Sequence, residues 1–317
     1  MAPGVAAGQR DGMDELVEVR LGRTRSKEWQ RVGHGLHRRV GSETPYVDLH
    51  AWQQVLPTAG VLSHLSAAQV HGWWLPPLPD ELPVFVAMPR STSRVRRPEL
   101  LVTRHPTPPA SVTIDGLRVT PPAETLASCA RDLGVLDLVV LLDAALRAGT
   151  SRAEVLAAAP RRRGSPRLLQ ALDLADPASE SPWESLLRVL HVVCEVPVVS
   201  QHEVRDEHGG FVARGDLWVV GSRSLQEYDG GGHLVAGQYA DDRRRERRLG
   251  DVGWRRNGYT SGDVLHRAVS ILRAADEALG RQHDPGRIRA WHDLLKASLF
   301  SAAGTRALVE TWRPGPG

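Results

Sequence analysis

Cysteine is scarce in this chain: two residues, Cys129 and Cys194, stand far apart among 317 and form no CxxC pair. That excludes a disulfide framework, argues against a structural zinc site and suits a reducing cytosol. Long apolar runs are missing as well. The most hydrophobic stretch, Leu136 to Leu146, is interrupted by Asp137 and Asp143, so no segment reads as a membrane span. The N-terminus shows no charged head followed by an apolar block, so no export signal is expected and the reading is cytoplasmic. Internal repeats and long low-complexity segments are absent too. Net charge is small, +3, and 41% hydrophobic residues against 24% charged is ordinary for a globular chain. The length allows two domains, each with its own core.

What is present is arginine in patches. Arg243, Arg244, Arg245, Arg247 and Arg248 crowd one stretch, and Arg94, Arg96 and Arg97 another. Such patches suit a polyanionic partner, DNA above all. A general arginine bias in the composition accounts for them equally well.

Along the chain, residues 1–45 predict a small winged helix-turn-helix element. Short helices are expected over Asp14 to Arg20 and Ser26 to Val32, the second carrying Lys27, Trp29 and Arg31. A basic strand over Gly33 to Val40 would serve as the wing. Lys27 and Arg31 are the DNA contacts this element predicts. Residues 46–175 predict an α+β region: a helix from Val61 ended by Gly72, strands over Leu82 to Met88 and Leu100 to His105, and a hairpin at Ile114-Asp115-Gly116-Leu117. Apolar helices follow over roughly 123–147 and 152–159. The polar, proline-bearing stretch Asp176 to Pro182 predicts the boundary of a second domain, 176–280. Beyond it, 281–317 predicts an amphipathic helix near Ile288 to Phe300 and a disordered Gly/Pro tail.

The second domain carries the chemistry. Val198 to Arg205, Phe211 to Val220 and Leu225 to Asp229 read as strands separated by turn residues, hence an antiparallel meander. A turn symmetric about Ser222 and Arg223 pairs Val220 with Leu225, Trp218 with Glu227 and Asp216 with Asp229. Asp216, Glu227 and Asp229 then share one face. Three carboxylates so placed repel one another, and a hard divalent cation, Mg²⁺ or Mn²⁺, is the simplest compensation. Solvated acids on an exposed sheet face are the plainer alternative. Glu184 follows Ser181-Pro182-Trp183 in a capping-box pattern, which accounts for it alone; its place before the meander also suits an outer metal ligand. His233, after Gly230-Gly231-Gly232, is placed to return towards the carboxylates as a proton-transfer group, or else is a surface histidine. Gln238 to Leu249 reads as a helix with a basic face suited to phosphates, partly self-paired through Asp241, Asp242 and Glu246.

Asp216-Leu217, Glu227-Tyr228-Asp229-Gly230 with His233, Gln238, Asp242-Arg243-Arg244-Arg245, Leu249 and Gly253-Trp254-Arg255 together resemble a family of domains related to the very-short-patch-repair endonucleases. That family lies within the PD-(D/E)xK restriction-endonuclease-like superfamily. The likeness runs from about Ser179 to Leu272. Upstream, Leu62 to Ala68, Pro83 to Val86 and Val119 to Leu126 more loosely resemble an AbiEi-type antitoxin region. The resemblance implies an α/β (α+β) chain with a three-layer C-terminal core around a mixed sheet, and metal-assisted phosphodiester hydrolysis. Asp216, Glu227 and Glu184 would be metal ligands, and Asp216, Glu227, Asp229 and His233 catalytic groups. Gln238, Arg243, Arg244 and Arg245 would contact DNA. The chain departs from the pattern in having Asp229 where a lysine is common. It also has the polar run Arg255-Arg256-Asn257-Gly258-Tyr259 where an apolar strand is usual, which predicts a weakened or edge strand.

Two functions follow as expectations: a Mg²⁺- or Mn²⁺-dependent DNA endonuclease, or a non-catalytic antitoxin-like DNA-binding regulator on a degraded nuclease fold. A homodimer, and a partner toxin or repair protein, are compatible with either.

Overall fold

The computed structural model describes residues 17–160, 162–230 and 236–312, with the side chains of 236–242 left aside. Among the described residues the chain is of mixed α and β class, with three sheets. Its contacts divide it into two units. One comprises residues up to Val70 together with Pro83–Thr120; the other comprises His71–Leu82 and Pro121 onward.

The first unit begins with three strands, β1 (Val19–Leu21), β2 (Trp29–Gly33) and β3 (Leu36–Arg39), in the antiparallel order β1-β3-β2. This corrects the winged-helix expectation, because 14–20 and 26–32 hold no helix among the described residues. Both segments are short, without a sustained apolar period, and the turn at Gly33-His34-Gly35 pins β2 against β3 in the extended form. The predicted basic strand is present as β3. Lys27 therefore sits in an exposed turn and Arg31 on the exposed edge strand β2, not on a recognition helix.

Helix α1 (Val47–Val55), β4 (Val61–Leu62), α2 (His64–Val70), β5 (Val84–Pro89), β6 (Leu100–His105), β7 (Val112–Ile114) and β8 (Leu117–Val119) complete the unit. Its second sheet has the order β6-β5-β4-β8-β7. Asp115 and Gly116 both take positive φ, 46° and 74°, the backbone a two-residue hairpin needs. Trp52, Leu36, Leu62, Val86, Met88 and Val119 lie in one buried cluster. Of the Arg94–Arg96–Arg97 patch, Arg97 is used internally: it donates to the His34 carbonyl at 2.9 Å and lies 5.7 Å from the Trp52 ring centre.

The second unit opens with helices α3 (Pro122–Cys129), α4 (Val135–Arg147), α5 (Arg152–Ala158), α6 (Ser165–Leu174) and α7 (Pro182–Val193). The predicted boundary at 176–182 falls inside this unit. Asp143 of α4 is fully buried; it accepts the Asp176 N–H at 2.7 Å and pairs with Arg188 of α7 at 2.7 Å. A polar, proline-bearing stretch reads as a linker, yet its backbone is tied to a buried carboxylate. Asp137, also in α4, accepts backbone N–H groups of Leu299 and Gly134 at 2.9 and 3.1 Å, while burial pushes its carboxyl up to about 7.

Strands β9 (Val198–Arg205), β10 (Phe211–Val219) and β11 (Ser224–Tyr228) form the expected antiparallel meander. Helix α8 (Ala236–Asp251) then returns the chain to β12 (Arg255–Tyr259), which pairs parallel with β11 and closes a mixed sheet of order β12-β11-β10-β9. The polar strand is thus an edge strand, as its Asn-Gly pair predicts.

Leu225 shares an apolar cluster with Leu249 of α8, whereas Tyr228 stacks on Trp183 of α7 at 5.6 Å. Odd and even residues of a strand face opposite sides, so α8 and α7 cover opposite faces of β11. Helices α9 (Ser261–His266), α10 (Ala268–Ala278), a 3-10 turn (Pro285–Ile288), α11 (Arg289–Lys296) and α12 (Ala302–Trp312) follow. The last was not foreseen; it buries Leu308 and Trp312, and the Trp312 indole donates to Asp132 at 3.1 Å. Among the described residues no helix is long and apolar enough to cross a membrane.

Candidate functional site

The site begins with a register. Leu217 pairs with Gln226 and Trp218 with Leu225, so continuing one step sets Asp216 opposite Glu227. The prediction had Asp216 opposite Asp229, two residues further on. The difference comes from the turn, whose four residues are Val220 to Arg223, centred on Gly221 and Ser222 and so one residue earlier than a turn symmetric about Ser222 and Arg223. Ser222 Oγ donates to the Val219 carbonyl at 2.7 Å and accepts the Ser224 N–H at 3.1 Å, holding that turn. A slip of two keeps every side chain on its face, so Asp216 and Glu227 still meet.

Helix α7 supplies the next acid. Ser181 caps it, accepting the Glu184 N–H at 3.2 Å, with Pro182 in the first helical position. Glu184 does not close the box onto Ser181. Its Oε2 accepts the Glu180 N–H at 2.8 Å and the Gln201 amide at 3.0 Å. Burial raises the Glu184 carboxyl above its ordinary range. Gln201, on β9, was not anticipated from sequence. Its backbone is left-handed at φ 53°, and its buried Oε1 finds no hydrogen-bond donor among the described residues.

Asp216 stands between these groups. Burial pushes its carboxyl up to about 7; Glu184 and Glu227 push the same way, against the Tyr228 N–H bond at 2.9 Å and the charge of Arg245. An unfolded aspartate titrates near ~3.9. Between that value and 7 the folded chain holds the extra proton, so this residue's contribution to stability is full below about pH 4. It is lost as pH rises through 7. Asp216→Asn removes the dependence. In urea titrations without divalent metal, the variant should gain roughly 1–3 kcal/mol on wild type between pH 5 and pH 8. A pH-independent difference contradicts this.

Glu227 is 6% exposed and fully charge-paired. Arg245 of α8 grips it with two bonds, 2.8 and 2.5 Å, and Arg256 of β12 adds a third at 2.5 Å. Arg256 also pairs with Asp229, which lies just past β11 and is 45% exposed. Arg245, expected as a DNA contact, is therefore turned into the site, and Asp229 faces an arginine. Arg256 was missed. Its register partner on β11 is Leu225, two residues before Glu227 on the same face, a pairing that no local pattern announces.

Gly258 explains part of the unusual strand. A Cβ there would lie 1.9 Å from Asp229 Oδ2. Because Asp229 is half exposed and can swing outward, Gly258→Ala should cost no more than about 1 kcal/mol by urea denaturation. A loss several-fold larger would mean that the Asp229–Arg256 contact is held rigidly.

Among the described residues no three His, Cys, Asp or Glu side chains converge closely enough to hold a metal ion. The donors suit a hard cation in kind: the carboxylates of Glu184 and Asp216, and the unsatisfied amide oxygen of Gln201. Glu227 joins that set only by releasing guanidinium groups. His233 lies outside the described residues, as does the side chain of Gln238. Arg243 and Arg244 are exposed on α8. No family model, curated protein or solved structure matches the chain.

Proposed function

We propose that the second unit is a Mg²⁺- or Mn²⁺-dependent DNA endonuclease of the restriction- and repair-endonuclease-like type. The observation that carries the proposal is the register that sets Asp216 opposite Glu227, with Glu184 bonded to Gln201 of the adjoining strand β9. Support also comes from the order helix, three antiparallel strands, helix and parallel fourth strand. It puts an acid on the first helix, the second strand and the third strand, as the resemblance in the sequence implies. A bound dication would supply Lewis acidity and a water of lowered pKa. The chain's own residues would do the rest. Glu184 and Asp216 offer oxygen donors, and Gln201 orients Glu184 by its amide bond. Arg245 and Arg256 are guanidinium forks of the kind that bind phosphodiester oxygens. Purified protein should nick supercoiled plasmid with Mg²⁺ or Mn²⁺ and stop on chelation. No nicking at any concentration of either metal overturns the proposal.

One observation favours a second reading. Both Glu227 oxygens are held by arginines, which suits a degraded site in an antitoxin-like DNA-binding regulator. That reading predicts metal-independent, salt-dependent binding to a specific DNA sequence, weakened by Arg243→Gln/Arg244→Gln in fluorescence anisotropy.

A further inference from the structure

A cavity of about 230 Å³ opens where β11 and β12 begin, lined by Arg223, Ser224, Arg255, Asn257 and, on α10, Glu277. Ser224 and Arg255 are register partners, placed at the ends of their strands that precede Glu227. The buried wall is Ser224, 3% exposed. Its Oγ accepts the Gln226 amide at 2.8 Å and the Asn257 amide at 2.9 Å. Both lone pairs are then in use, and the hydroxyl hydrogen is left to donate. Among the described residues nothing accepts it. Asn257, one of the polar residues that set β12 apart from an apolar strand, is thus a fixed part of this wall.

Two guanidinium groups stand at the same cavity. Arg223 spends one bond, at 3.2 Å, on the Val252 carbonyl. Arg255 is exposed and makes no ion pair or side-chain hydrogen bond among the described residues. Glu277, also exposed, offsets one of the two positive charges. A volume below the roughly 300 Å³ at which drug-sized pockets start leaves room for a small ligand only. A buried hydroxyl donor between two arginine forks matches a tetrahedral oxyanion.

We propose that this cavity binds a phosphate group, separately from the carboxylate site. The group is either free phosphate or the terminal phosphate of a nucleic-acid strand. The test is isothermal titration calorimetry on the full chain in metal-free buffer. The probes are inorganic phosphate and a deoxydinucleotide with and without a 5′-phosphate. Saturable binding of inorganic phosphate or of the 5′-phosphorylated dinucleotide is expected, weakened about tenfold or more by Arg255→Gln. Arg306→Gln on α12, exposed and outside the cavity, should leave it unchanged. Ser224→Ala strips an acceptor from two buried amides, so Arg255→Gln is the deciding variant, with Arg223→Gln as its replacement should it fail to fold. Preference for the 5′-phosphorylated dinucleotide over the unphosphorylated one identifies a strand end, and binding of inorganic phosphate alone identifies the free ion. Absence of saturable binding by either probe, or wild-type affinity in Arg255→Gln, overturns the proposal.

Discussion

Asp216→Asn should reduce metal-dependent plasmid nicking by at least about 10²–10³-fold, the loss typical of removing one preorganised polar group from an active site. The amide keeps an oxygen for the Tyr228 N–H, so the hairpin is expected to stay intact. It cannot carry the negative charge that a cation requires. A readout without turnover separates ligand loss from misfolding. In wild type at pH 8, divalent metal should raise stability, by about 2.7 kcal/mol at a hundred times its Kd. The variant should show little of that gain. Because Asp216 is uncharged below about 7, metal binding should also weaken as pH falls through that value. Full nicking activity in Asp216→Asn would remove this residue from the mechanism. If neither wild type nor variant nicks, and DNA binding is equal in both without metal, the regulator reading stands.

The second large effect is structural. Arg188→Ala should destabilise the chain by roughly 3–5 kcal/mol, the cost of leaving one member of a buried ion pair alone. Asp143 is fully buried and Arg188 6% exposed. Besides the 2.7 Å ion pair, Arg188 donates to the Leu174 carbonyl, and Asp143 accepts the Ser185 hydroxyl at 2.6 Å. Burial already raises the Asp143 carboxyl despite these partners. Without Arg188 it rises further, so the deficit should shrink as pH falls and the carboxyl takes up a proton. The double change Asp143→Asn/Arg188→Met should cost less than Arg188→Ala, since no charge is stranded. Urea titration at pH 5 and pH 8 measures both statements. A loss below about 1 kcal/mol would show that α4 and α7 do not depend on the pair.

Much of the second unit's sheet could be read locally. Glu207 to Gly210 and Gly221 to Ser224 are turn residues between runs of alternating character. The three strands fall within a residue of their predicted limits. The register came out two residues away, because the turn's centre lies one residue earlier, set by how Ser222 bonds its neighbours, and composition does not encode that choice. The N-terminal stretch misled for a related reason. Segments as short as 14–20 and 26–32 carry too few apolar positions to establish a period, and their partner strands decide their form. The supposed linker at 176–182 misled because its polarity is met inside the fold by Asp143.

By itself the sequence determined the αβ class of the second unit, its meander and the sharing of one face by Asp216 and Glu227, since strand periodicity and turn chemistry act over a few residues. Which charges surround those acids was decided only in three dimensions. Arg245 and Arg256 reach Glu227 across 18 and 29 residues of chain, one from a helix and one from a parallel neighbour strand. The same folding brings Glu184 towards Asp216 and sets Ser224 beside Asn257. Charge pairing in a partly buried site depends on distance and desolvation, and both are properties of the packed chain.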